Sequence, residues 1–203
     1  MFKSMILAVA MFVMAAPATD TLTKDERDKA IAELEGSKKM FLDATKGLSV
    51  EQWNFKAGPD RWSIAECADH IALSEAFIFA RVGDVMKTPV TPEKRSATAG
   101  KDEKLVVMLQ DRSFKAKAPE PLDPTKTPMT PEESVKKFLE SRAKTEDFIK
   151  TTQEDLRDHM FDHPVPAIGT LDAYQWVLLI SGHTRRHTLQ ILEVKADPHF
   201  PKK

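Results

Sequence analysis

The sequence predicts an all-α four-helix bundle with a long crossover between helices two and three. Four segments carry apolar residues at helical spacing, and three of them open on a capping pattern. The break between the second and third is much longer than the other two, the mark of a bundle with one long connection. Thirteen Pro against seven Gly, with a single Tyr, suit helices joined by stiff connectors better than a turn-rich β protein. Nothing reads convincingly as a sheet.

The first helix is expected over Thr23 to Thr45. Thr23 and Glu26 form an S/T-x-x-E capping box, Ala30, Leu34, Phe41 and Thr45 recur near helical spacing, and Gly47 is a plausible stop. Lys38 intrudes on that face, and Gly36 weakens the middle by about 1 kcal/mol relative to Ala. After a turn at Gly58-Pro59-Asp60, Ser63 and Glu66 cap helix two, with Trp62 placed to staple against Cys67. Its inward face reads Cys67, His70, Ile71, Ser74, Phe77 and Ile78. A lysine-rich crossover, about 88–129, is punctuated by Pro89, Pro92, Pro119, Pro121, Pro124 and Pro128, with a short helix expected within Lys101 to Ser113. A connection of that length is either functional or poorly ordered. Helix three opens at Thr130-Pro131-Glu132-Glu133 and runs to about Leu156, burying Val135, Phe138, Leu139, Ile149 and Leu156. A turn-rich link then leads to helix four, Leu171 to Ala196, which stops before Pro198.

The 203-residue chain suits one ordinary domain. Its net charge of -1 offers no bulk attraction to nucleic acid. Residues 1–18 read as a signal peptide: Lys3 is the positive start, Met5 to Ala16 the apolar run, and Ala16-Pro17-Ala18 the small-x-small cleavage signal. The run is shorter than the ~20 residues that span a bilayer, so no stable membrane span is expected after cleavage, an uncleaved N-terminal anchor being the competing reading. The bundle, 19–203, is thus expected to be exported, as a periplasmic or secreted protein. Cys67 is the only cysteine, which excludes an intrachain disulfide; a buried, inert thiol is its default.

Helix four contains SGHTRRHTLQIL, with His183 and His187 among Trp176, Ile180, Ile191 and Val194. Four residues advance a helix by ~400°, leaving an offset of ~40° and a rise of ~6 Å, so both rings can reach one ion. Neutral imidazole ligates Zn, Ni, Fe or Cu, and His70 on a facing helix would complete a three-nitrogen set. An i, i+4 pair can equally cap carbonyls, meet a carboxylate or lie exposed. Unpaired imidazoles at three core phases would each carry a burial cost of about 1–3 kcal/mol, which a shared ion removes. His159 and His163 fall in the connection before helix four and His199 lies past Pro198 near the C-terminus, so they are weaker ligand candidates, with His163 able to line a mouth. Glu66, four residues ahead of His70, is the candidate general base or orienting residue, against its expected duty as the capping residue. Gln190, one turn beyond His187, could orient a ligand or simply pack.

The stretches RWSIAECADHIALSE (Arg61 to Glu75) and FDHPVPAIGTLDAYQWVLLISGHTRRHTLQILEV (Phe161 to Val194), joined by a Pro-rich crossover, resemble the DinB-like superfamily of bacterial four-helix bundles. The resemblance implies a divalent metal on His70, His183 and His187, with open positions for water or substrate. Some members of that family are assigned as metal-dependent hydrolases, others are thiol transferases or isomerases that use low-molecular-weight thiols, and many are uncharacterised. The export signal favours hydrolysis of a small substrate, since such thiols are chiefly cytoplasmic. A non-catalytic metal-binding or stress-associated bundle, dimeric through an apolar helix face, and a metal-free structural bundle are the competing readings. The metal and the substrate stay unspecified, as reaction type lives in the site rather than the fold.

Overall fold

The computed structural model describes residues 21–113 and 117–202; the expected signal peptide lies outside them. Four long helices, α1 (Lys24–Thr45), α3 (Ile64–Val85), α6 (Pro131–Thr151) and α7 (Ala173–Lys195), form the bundle. Three short ones decorate it: α2 (Val50–Asn54) follows α1, while α4 (Arg95–Thr98) and α5 (Asp102–Gln110) lie in the crossover. Both α1 and α3 pack against α6 and α7, so α1 and α3 occupy opposite corners, as do α6 and α7. The consecutive pairs α1/α3 and α6/α7 are thus diagonal in space, whereas the long crossover joins α3 to its packed neighbour α6. None of the described helices is long and apolar enough to cross a membrane.

The helix starts follow from the sequence. Thr23, Ser63 and Thr130 each accept a bond from the backbone N–H three residues on, and the glutamate there bonds back. Asp172 and Gln175 do the same for α7, and Ser49 and Gln52 for α2. Helix ends differ from expectation. Instead of reaching Leu156, α6 stops at Thr151, where both Nη atoms of Arg27 on α1 cap it by donating to the carbonyls of Ile149 and Thr152, each at 2.6 Å. Leu156 is buried, but in the returning loop.

Two further corrections concern the link to α7. Strands β1 (Met160–Asp162) and β2 (Thr170–Asp172) pair antiparallel, Phe161 opposite Leu171, although no strand was expected. Three residues per strand are too few for an alternation to show. Gly169, at φ 72°, turns the chain into β2, and α7 consequently starts at Ala173 rather than Leu171. Two expected core residues sit at the margin: Phe77 is 40% and Leu139 38% exposed. Phe138 is buried as expected, its ring 4.6 Å from that of Phe41, and Arg81 lies 6.0 Å from the Phe77 ring.

The core has two apolar parts. One gathers Leu34, Ile78, Ile149 and Tyr174; the other gathers Phe41, Ile71, Phe138 and Ile191. Between them on all four helices lies a polar layer. Buried Arg142 of α6 donates Nε to Glu75 Oε2 of α3 at 2.9 Å, Nη1 to Ser37 Oγ of α1 at 2.8 Å and to the Leu34 carbonyl, and Nη2 to Thr184 Oγ1 of α7 at 3.1 Å. One guanidinium thus touches every long helix.

Candidate metal centre

His70 reaches the site from α3, and His183 and His187 from successive turns of α7, the helix against which α3 packs. One ligand atom from each of the three rings falls within 4.8 Å of the others. Ring centroids are 5.0 Å apart for His70 and His183, and 4.5 Å for the other two pairs. His70 and His187 are buried, while His183 retains partial access to solvent.

Hydrogen bonds decide where the protons sit. His70 Nδ1 lies 2.8 Å from the carbonyl oxygen of Leu122, which only accepts, so Nδ1 carries the hydrogen and the neutral ring keeps a bare lone pair on Nε2. His187 Nδ1 lies 3.0 Å from Gln190 Oε1, and with the amide in that orientation Nδ1 carries the hydrogen there as well. His70 Nε2 is 3.3 Å from His183 Nε2. Without an ion, a proton on His183 Nε2 bridges that gap. The Nε2 atoms of His70 and His187, each ring fixed through its Nδ1, together with a nitrogen of His183, are the ones that would hold an ion.

Electrostatics keep the rings neutral, the ligand form. Burial lowers the pKa of His70 below the ordinary imidazole value. For His183, burial and then the neighbouring His187 and His70 push it well down; for His187, burial and then His70 do so. Trp62 covers one side, its ring 4.9 Å from His70 and 5.8 Å from His187, while also packing on the apolar cluster that includes Cys67. Burial pushes the Cys67 thiol far up, leaving it inert, as its default reading had it.

The other candidates lie elsewhere. Glu66 is occupied at the start of α3: Oε2 accepts from the Ser63 N–H at 2.8 Å, and Oε1 pairs with Lys56 Nζ at 2.7 Å. His159 Nδ1 donates to the Thr88 carbonyl, and exposed His199 faces Asp197. His163 stacks on Trp176 at 5.2 Å, and its Nδ1 accepts from the Val165 N–H. Leu122 went unnoticed in the sequence because its contribution is a backbone carbonyl, a group every residue carries. The Glu75–Arg142 pair was missed as well, for charged residues in amphipathic helices ordinarily face water.

Fold and site together define a four-helix bundle with three inward imidazoles shared between two facing helices. A model of the DinB superfamily matches residues 33–191, and the chain belongs to that superfamily. The uncharacterized protein YuaE of Bacillus subtilis (strain 168) is 29% identical over 157 residues, 74% of this chain and 87% of YuaE. YfiT from Bacillus subtilis, described as a probable metal-dependent hydrolase with an unusual four-helix bundle topology, is similar in structure, with a TM-score of 0.59. That likeness covers 90% of this chain and 93% of YfiT at 15% identity, and it shows the fold.

Proposed function

We propose that His70, His183 and His187 hold one divalent transition metal, and that the protein is an exported metal-dependent hydrolase acting on a small substrate. The observation that supports this most directly is the paired Nε2 atoms of His70 and His183, 3.3 Å apart in a buried cluster of neutral rings. Three imidazole nitrogens suit Zn, Ni or Fe. Such an ion with an open position lowers the pKa of bound water toward ~7 and polarises an ester or amide carbonyl. The chain supplies the rest: Leu122 holds the His70 ring, and Trp62 covers one side of the cluster. Glu66 supports the helix that carries His70 and is given no proton-transfer role here, because both its oxygens are engaged. Hydrolysis is supported by the description of YfiT, and export by the Lys3 to Ala18 pattern.

One observation favours a second reading, a non-catalytic metal-binding bundle: among the described residues, no carboxylate joins the cluster of three histidines. Elemental analysis of untagged protein, followed by ester, amide and thiol-transfer assays, separates the two. The hydrolase reading expects stoichiometric metal and ester or amide turnover, both lost in His187→Ala. Retained metal with no turnover supports the binding reading, and thiol transfer in place of hydrolysis would reassign the chemistry.

A further inference from the structure

We infer that Gln190 is a positioning residue of the metal centre, fixing which nitrogen of His187 faces the ion. Given the metal reading above, this assigns a role to the one polar side chain that, among the described residues, is hydrogen-bonded to His187. Gln190 lies three residues beyond His187 on α7, so its amide reaches back along the same face to Nδ1 at 3.0 Å. The orientation of the amide decides the outcome. With Oε1 toward the ring, Nδ1 must donate, and Nε2 is left as the acceptor on the side of His70 and His183. With the amide reversed, its N–H would donate to Nδ1, the ring proton would move to Nε2, and the ligand position would be blocked.

The same lock occurs at His70 by other means. There the Leu122 carbonyl, from the turn Glu120–Leu122 in the crossover, accepts from Nδ1 at 2.8 Å. A backbone carbonyl cannot reverse, whereas a side-chain amide can. His187 is therefore the ligand whose tautomer depends on a replaceable residue, and Gln190 is where substitution acts on the site without removing a ligand. Outer partners of this kind change metal affinity by about 10–100-fold when removed.

The test uses full-length protein and zinc, with affinity read by competition against a chromophoric chelator. Gln190→Ala should weaken zinc binding by about 10–100-fold. Gln190→Glu, which can only accept, should stay within a few-fold of the wild type, and Gln190→Lys, which can only donate, should bind at least as poorly as Gln190→Ala. In metal-free protein, the 15N resonances of His187 should place the proton on Nδ1, with Gln190→Ala shifting it toward Nε2. That measurement stands without any metal. A wild-type proton on Nε2, or equal zinc affinity in the wild type and Gln190→Ala, overturns the role of Gln190 while leaving the three-histidine reading intact. A wild-type chain that binds no zinc, nickel or iron overturns that reading, whatever tautomer His187 adopts.

Discussion

His183 and His187 share one face because an i, i+4 pair cannot straddle a helix, and the buried Ile180, Ile191 and Val194 at matching phases turn that face inward. Burial then sets their charge, with a consequence for stability. The unfolded chain protonates its histidines near the ordinary value of 6.5, whereas His70, His183 and His187 in the folded metal-free protein resist, their pKa values all being lowered by burial first. The unfolded state thus binds more protons below about 6.5, so stability is complete above that pH and declines as the pH falls below it. Each such group contributes up to about 1.4 kcal/mol per pH unit. Asp172, which burial pushes up to about 6, acts in the opposite sense between its ordinary 3.8 and that value. Comparing metal-free wild type with metal-free His187→Leu cancels the aspartate effect. Urea unfolding between pH 5 and 8 should show the steeper acid loss in the wild type, and equal slopes would contradict the buried neutral state of His187.

Among the elements, α5 shows what the crossover does. It packs along α7, and a Cβ placed at Gly182 would lie 2.7 Å from Leu109 Cδ1 and 3.2 Å from Leu109 Cβ. Gly182 therefore sits where α5 needs close approach, next to His183. At Gly83 of α3, a Cβ meets nothing within 4 Å. Gly83→Ala should stabilise by about 0.5–1 kcal/mol through helix propensity, whereas Gly182→Ala should destabilise by roughly 1–3 kcal/mol through overpacking. Thermal melts of the two variants check the contrast, and hydrogen exchange over Asp102–Gln110 should rise only in Gly182→Ala. The starts of α1, α3 and α6 were legible because a capping box is written within four residues, whereas that of α7, capped by Asp172 and Gln175, was placed two residues early. The end of α6 was not, since Arg27, more than a hundred residues away, closes it. The pairing of β1 with β2 was hidden for a related reason: three-residue strands exist here by docking beside α7, not by their own pattern.

Across the whole molecule, Glu75 and Arg142 are the groups on which all four long helices converge. Side chains so completely buried cost several kcal/mol each to take from water, and only their mutual pairing and bonds to Ser37, Leu34 and Thr184 offset that. Glu75→Ala, which strands the guanidinium, should cost about 3–5 kcal/mol, while Glu75→Leu combined with Arg142→Met should recover much of the loss. Denaturant unfolding of the single and double variants measures this. A single variant as stable as the wild type would show that the pair does not hold the layer together.

What the chain determined unaided was local: four amphipathic helices, their capped starts, and the histidines at inward phases of α3 and α7, all consequences of periodicities shorter than a helix turn or two. Tertiary structure alone decided which helices became diagonal, that the Leu122 carbonyl would meet His70, and that an arginine would be sealed among four helices. Those outcomes depend on groups brought together across tens to more than a hundred residues. Spacing along one helix says which way a side chain points, but what it meets there depends on how the other helices pack.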